Sequence, residues 1–134
     1  MQSLDSVRAY LSTPICAVVS TVRADGSPHQ TVLHYWLEDD SILINGTVGR
    51  VWTKNLHRDP RVSILVHDPH ETEHWVGIRG QAANAYEGPE AVEDAMELAR
   101  RYGDPPEGYA ELERVTFVIE PERIFEYGAA AAPG

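Results

Sequence analysis

The sequence predicts a mainly β protein, an antiparallel barrel with a few helices inserted between its strands. Three observations predict it. Apolar, β-branched or aromatic runs recur along the chain with turn residues between them. The early runs are joined by connections too short for a parallel crossover. The hydrophobic period changes from two to that of a helix at only three places.

Residues 4–11 have Leu4, Val7, Ala9 or Tyr10, and Leu11 on one side of a short helix that Pro14 ends. "ICAVVSTVR" (15–23) reads as a strand and "ADGS" (24–27) as a hairpin turn carrying Asp-Gly. "PHQTVLHYWLE" (28–38) is a single returning strand, with Pro28 at its tolerated first position. After the turn at Asp39-Asp40, "SILINGT" (41–47) is the next strand. "GRVWTKNLHRDP" then supplies a helix from about Arg50 to His57, closed by Pro60.

"RVSILVHD" (61–68) and "WVGIRGQAANAYE" (75–87) are two further strands, with Gly77 and Gly80 as expected bulges or points of close approach. "GPEAVEDAMELARRYG" has proline near its start, acids early, Arg100 and Arg101 late, and Gly103 just beyond, which marks a capped helix. "GDPPEGY" is a loop, and "RVTFVIEPERIFEYG" is a last strand bent near Pro121. The 134 residues are expected to form one domain, 1–134, with a frayed tail over about 128–134.

Composition narrows the function. The net charge of −10 argues against general binding to nucleic acid or to acidic membranes. No apolar run reaches the length of a membrane span, and the first residues lack an apolar signal core, so a cytoplasmic protein is expected. The lone cysteine, Cys16, fits a reducing compartment and is expected to be a buried, inert thiol. Residues 50–61 hold four of the 11 basic side chains and a single acid, Asp59. One concentrated basic segment on an acidic chain points to a small anionic ligand or to a solvated helix face.

The segment "HDPHETEHW" contains a literal H-E-x-x-H, which in a zinc protease puts two histidines on one helix face. Here Trp75 begins a glycine-containing strand, so any helix stops within two turns, and no histidine follows His74. The stretch is expected to be a polar connection without a metal, and His70 and His74 to be dispensable for folding.

Residues 24–66 carry the chemistry. The loop "NGTVG" leads into the basic helix, where Arg50 and Lys54 stand at i and i+4 and Asn45 and Thr47 can add neutral donors to an anion. The same region holds "DGSPH" (25–29), "HYW" (34–36) and "KNLHRDPRV" (54–62), followed by "WVGIRG" (75–80), "RRYG" and "PERI". Together, in this order and spacing, they resemble the pyridoxamine 5′-phosphate oxidase-like flavin and deazaflavin proteins. These have an FMN-binding-like split β-barrel, and the closest resemblance is to the actinobacterial branch that uses coenzyme F420. The resemblance spans residues 5–127.

It implies a homodimer with two cofactor sites at the interface, a small electron-poor organic substrate, and hydride transfer from a bound deazaflavin, with FMN as the alternative cofactor. A flavin, deazaflavin or haem carrier is a further alternative. The cofactor phosphate would lie against Thr47, Arg50, Lys54 and Asn55, with Asn45 beside them. Its ring would lie along Thr31, Leu33 and His34, with Trp75 near it. His34 and Tyr35 are the candidate proton donors. The chain departs from many relatives at Trp52, where they have lysine. Trp52 would then stack on the cofactor or pack in the dimer interface.

Overall fold

In the computed structural model, which describes residues 3–128, seven strands form one antiparallel sheet in the order β2-β1-β5-β6-β7-β4-β3. The elements are α1 (Leu4–Leu11), β1 (Ala17–Val22), β2 (Pro28–Leu33), β3 (Tyr35–Glu38), β4 (Ser41–Thr47), α2 (Val51–Arg58), β5 (Arg61–His67), β6 (Trp75–Glu87), α3 (Pro89–Tyr102), a short 3-10 helix (Pro106–Tyr109) and β7 (Arg114–Tyr127). This is the split-barrel architecture expected from the sequence. The expected tail mostly lies outside the described residues.

The expected strand 28–38 is two strands. β2 pairs with β1, from Val22↔Pro28 to Ala17↔Leu33, whereas β3 pairs with β4, from Tyr35↔Ile44 to Glu38↔Ser41. These are the opposite edges of the sheet, and His34 alone joins them. One continuous run of chain therefore holds the two edges together and curls the sheet. The β1–β2 hairpin turns through Gly26 at φ +89, a conformation that costs glycine little. Its Asp25 carboxylate accepts from Ser27 N at 3.0 Å.

The inner face is a continuous apolar core. Val19, Ile42, Ile44, Ile64, Val66, Val76, Ile78, Phe117 and Ile119 are buried in it, with Leu4, Val7 and Leu11 from α1 and Trp52 and Leu56 from α2. A fully buried side chain of this size contributes roughly 1.5–3 kcal/mol of transfer energy. Tyr35 is also fully buried, and its hydroxyl donates to the Leu11 carbonyl at 2.7 Å, tying α1 to the strand switch.

β6 and β7 make the longest pairing, interrupted by two register shifts. Arg79 faces Arg123 while Gly80 faces Pro121, so Glu122 is the extra residue of a bulge. Gly80 is required there, because a Cβ would lie 2.3 Å from the Glu120 carbonyl oxygen. Gly77 meets only the Trp75 ring, at 3.5 Å, and no register shift adjoins it. The expected bulge therefore exists at Gly80 and not at Gly77.

Two expectations are corrected. Cys16 is exposed, because the inward alternation begins at Ala17 and leaves the preceding residue outside. The connection 68–74 has turns and no helix, as expected, so His70 and His74 do not share a helix face; what is corrected is the expectation that His74 is dispensable for folding. His70 is exposed, but His74 is buried with its Nε2 3.2 Å from Glu126 Oε2 and its ring 4.1 Å from that of Tyr10. The Tyr10 hydroxyl donates to the His74 carbonyl and accepts from Asp68 N, both at 2.9 Å. This cluster fastens the connection to α1 and to the end of β7.

Removing His74 strands a carboxylate that is almost wholly covered. His74→Ala is therefore expected to cost about 2 kcal/mol in urea denaturation, the scale of a hydrogen bond to a charged group. His70→Ala, at an exposed turn, is expected to stay within about 0.5 kcal/mol. Equal midpoints for the two variants would contradict this placement.

Candidate functional site

A cavity of about 370 Å³ opens at the seam where β2 gives way to β3. One wall is the end of β2 with the seam residue, Thr31 to His34. The floor is the end of β4, Asn45 to Thr47. Arg50 and Trp52 close one side at the start of α2, and Ala95, Leu98, Tyr109, Leu112 and Arg114 close the other. Seven of the expected cofactor residues line it together: Thr31, Leu33, His34, Asn45, Thr47, Arg50 and Trp52.

Three others do not. Lys54 is exposed on α2 outside this lining. Asn55 is buried beneath α2, where its Nδ2 donates to Thr21 Oγ1 at 3.1 Å and its Oδ1 accepts from Arg58 at 2.9 Å. It anchors the helix to β1. Trp75 begins β6, away from this cavity, and stacks on Tyr127 with ring centroids 5.7 Å apart. Tyr35 is excluded as a proton donor to this cavity by its bond to the Leu11 carbonyl, and burial pushes its hydroxyl pKa well up.

His34 remains at the seam. Its ring lies flat on Tyr102, with centroids 3.7 Å apart and planes 1° from parallel. The Tyr102 hydroxyl donates to the Ile15 carbonyl at 2.7 Å, which fixes the platform. Desolvation lowers the His34 pKa, opposed by the charge of Asp104, which favours the neutral ring.

Asn45 is held by donating to the Ala91 carbonyl at 2.8 Å and to Thr116 Oγ1 at 2.9 Å. Thr116 in turn donates to Asp94 at 2.8 Å, so the cavity floor is joined to α3 through a buried polar chain. Trp52 packs in the core, against Phe117 and directly over Gly46, where a Cβ would come within 2.2 Å of Trp52 Cζ2. Its buried indole fills the core and offers the cavity little stacking surface.

The electrostatics depend on two arginines. Arg50 is the N-cap residue of α2, whose first turn has no side-chain cap and no acid. Its N–H groups are therefore open to an anion. Arg114, which the sequence reading did not single out, opens β7 directly opposite Thr47. Its guanidinium lies 4.7 Å from the Tyr109 ring centroid, and its Nε is buried without a partner among the described residues. Desolvation lowers the Arg114 pKa, Tyr109 opposes this, and the charge of Arg50 adds to it. No carboxylate lines the cavity, and neither arginine is in an ion pair among the described residues. The signal that could have found Arg114 was its place at the start of a strand, once that strand's partner was known to be β4.

Residues 3–128 match the pyridoxamine 5′-phosphate oxidase family. Among solved structures, a protein named F420 reductase is 24% identical, with a TM-score of 0.78 and coverage of 88% of this chain and 94% of that one. The conserved hypothetical protein Rv2991 from Mycobacterium tuberculosis is 26% identical, with a TM-score of 0.78 over 95% of this chain and 85% of that one. HutZ, the heme storage protein from Vibrio cholerae, is 17% identical, with a TM-score of 0.72 over 96% of each chain. The fold is thus common to proteins named for redox chemistry and for haem storage. With its match running almost from end to end, the chain belongs to the pyridoxamine 5′-phosphate oxidase family.

Proposed function

We propose that this protein binds a phosphate-bearing deazaflavin, coenzyme F420, in the seam cavity and acts as a reductase of a small electron-poor organic substrate. The observation that carries the reading is the convergence of Arg50 and Arg114 on one cavity that no carboxylate lines. Both would hold the anionic end of the cofactor, with the open N–H groups of α2 beside them. Leu33, Leu98 and Leu112 give the ring an apolar wall. The bound cofactor supplies the hydride, and the protein supplies position and a covered site. His34, fixed on Tyr102 at the seam, is the side chain that would hydrogen-bond the cofactor; its lowered pKa makes it a poor proton donor, and solvent would supply the proton. FMN is the alternative ligand, because it too carries a phosphate at the end of its ribityl chain.

The reading includes a homodimer with cofactor sites at the interface. Direct register neighbours Val32, Val18, Leu65, Gly77 and Phe125 form one row across five strands on the outer face of the sheet. Val32, Leu65 and Phe125 are among the exposed large apolar side chains, and Tyr127 flanks the row. Val32 belongs both to the row and to the cavity lining, so a second copy seated on this face would border the site. Sedimentation is expected to show a dimer at micromolar concentration and a shift to monomer in Leu65→Asp. A monomeric wild-type protein would remove the shared-site reading.

Equilibrium binding of F420 and FMN, read by fluorescence, tests the ligand directly. Arg114→Gln and Arg50→Ala are each expected to weaken binding by roughly 10- to 100-fold, the scale of a charge-assisted hydrogen bond. Arg100→Ala is the control, because Arg100 is engaged by Glu97 on the exposed side of α3. Unchanged affinity in both cavity variants would place the cofactor elsewhere.

The lowered His34 pKa fixes a pH dependence. The unfolded ring takes up its proton at a higher pH than the folded one. Stability from this group is therefore complete above about pH 6.5 and is lost as pH falls through the folded value. His34→Gln is expected to lose less stability than the wild type between pH 7 and pH 5 in thermal unfolding. Parallel curves for the two proteins would contradict a desolvated His34.

A further inference from the structure

A second pair of arginines stands on the outer face of the sheet, apart from the seam cavity. It lies one same-face row beyond the apolar row proposed to meet a second copy, so that it borders that interface. Arg79 of β6 and Arg123 of β7 are direct register partners. Their guanidinium carbons lie 5.5 and 5.4 Å from the centroid of the same ring, Phe125. Both are exposed, and neither is in an ion pair among the described residues. Like charges directly opposite each other in a sheet are destabilising. Here they sit side by side in a chain of net charge −10, where carboxylates are plentiful and none among the described residues is paired with them.

The backbone around them is shaped for an occupant. The bulge at Glu122 and the side-chain-free Gly80 help form a cavity of about 490 Å³ that both arginines line. Ser20 and Ser63, successive register partners of Arg79 across β5 and β1, add hydroxyls to the same wall. Of the other charged residues there, Arg61 is paired with Asp59 at 2.7 Å, and Glu122, the one carboxylate in the lining, accepts from the Gln81 amide at 3.3 Å and forms no ion pair with either arginine. What is left is two free cations held by one aromatic ring, with neutral donors beside them.

We propose that Arg79 and Arg123 form a second anion site, which takes the phosphate or carboxylate of a small molecule. It shares no lining residue with the seam cavity. The Phe125 ring restrains both guanidinium groups by cation–π contact, so less side-chain freedom is lost when the anion arrives. The occupant brings the charge that the pair lacks, and the cost of setting two arginines together falls when it binds.

Titration of the full-length protein with inorganic pyrophosphate, followed by calorimetry and by the side-chain Nε–H signals of arginine, tests this. Saturable binding that shifts the Arg79 and Arg123 signals is expected. Arg79→Gln and Arg123→Gln should each weaken it roughly 10-fold or more, and Arg100→Gln, which lines neither cavity, should leave it intact. Without pyrophosphate, Arg79→Gln is expected to melt no lower than the wild type, because a repulsion has been removed. With pyrophosphate, the wild-type melting temperature should rise more than that of the variant. Three results would overturn the proposal: no saturable binding, binding indifferent to both substitutions, or an altered association state in the variants with no anion effect. The last would show that the pair meets carboxylates of a second copy instead. Loss of pyrophosphate binding only in Arg50→Gln would assign the anion to the seam cavity alone.

Discussion

The molecule is organised by a covalent constraint: the two edges of its sheet are consecutive in the chain. β2 ends at Leu33 and β3 begins at Tyr35, so strands at opposite ends of a seven-stranded order are separated by one residue. A flat sheet cannot satisfy this, and the sheet must curl until its edges meet at His34. Tyr35 secures the closure from inside, fully buried and bonded to the Leu11 carbonyl, so that α1 is fixed by the same event. The cavity is a consequence of the seam. Where the chain leaves one ladder for the other, the edges do not pair with each other, and the space between them is walled by β2, the end of β4 and the start of α2.

Charge is distributed with equal economy. Arg8 is engaged by Asp5 and Asp40, Arg61 by Asp59, and Arg100 by Glu97. Arg58 and Arg101 donate to backbone carbonyls, of Val22 and of Ser12, and so act as ties between elements. Apart from Arg23 and Lys54, the basic side chains left without an ion pair or a backbone tie among the described residues fall into two pairs, Arg50 with Arg114 and Arg79 with Arg123, and each pair lines a cavity. Exposed ion pairs are worth little to stability, so the neutralised arginines say little about the fold. The pairs without partners say more, because two cations held near each other raise the energy of the empty protein and lower it again when an anion arrives.

Most strands and all three helices were legible because each has one dominant period, and the capping residues of α3 marked both its ends. The break at His34 was not legible, and the reason is local. Thr31, Leu33, Tyr35 and Leu37 keep an unbroken alternation through the switch, so nothing in the pattern records that the pairing partner has changed. The same limit decided the site. Residues close together in sequence, from Asn45 to Trp52, were found together in space. Arg114 was missed because it reaches the cavity only through the β4–β7 register, which sets it opposite Thr47. Lys54 and Asn55 were included because they are near Arg50 in the chain, but a helix turns successive side chains to different faces, and theirs lead outward and into the core. His74 was misjudged for a similar reason: a polar residue in a turn looks solvated until Tyr10 and Glu126 are brought to it.

Trp52 shows how core packing shapes the seam cavity. Gly46 leaves the space that the indole fills, and no larger residue fits there, since its Cβ would fall 2.2 Å from the ring. The inner face of the first turn of α2 is therefore committed to packing and cannot carry a cation. The positive charge of the cavity comes from either side of that turn, from the N-cap at Arg50 and from Arg114 across the β4–β7 ladder. A cation on a paired strand is fixed by the sheet rather than by a helix end, and its cost is built into the fold. Arg114 keeps a buried Nε with no partner among the described residues, and an unmet donor of this kind costs about 1–3 kcal/mol. An anion that meets it returns that energy to the complex, which makes stability and ligand binding two readings of the same contact.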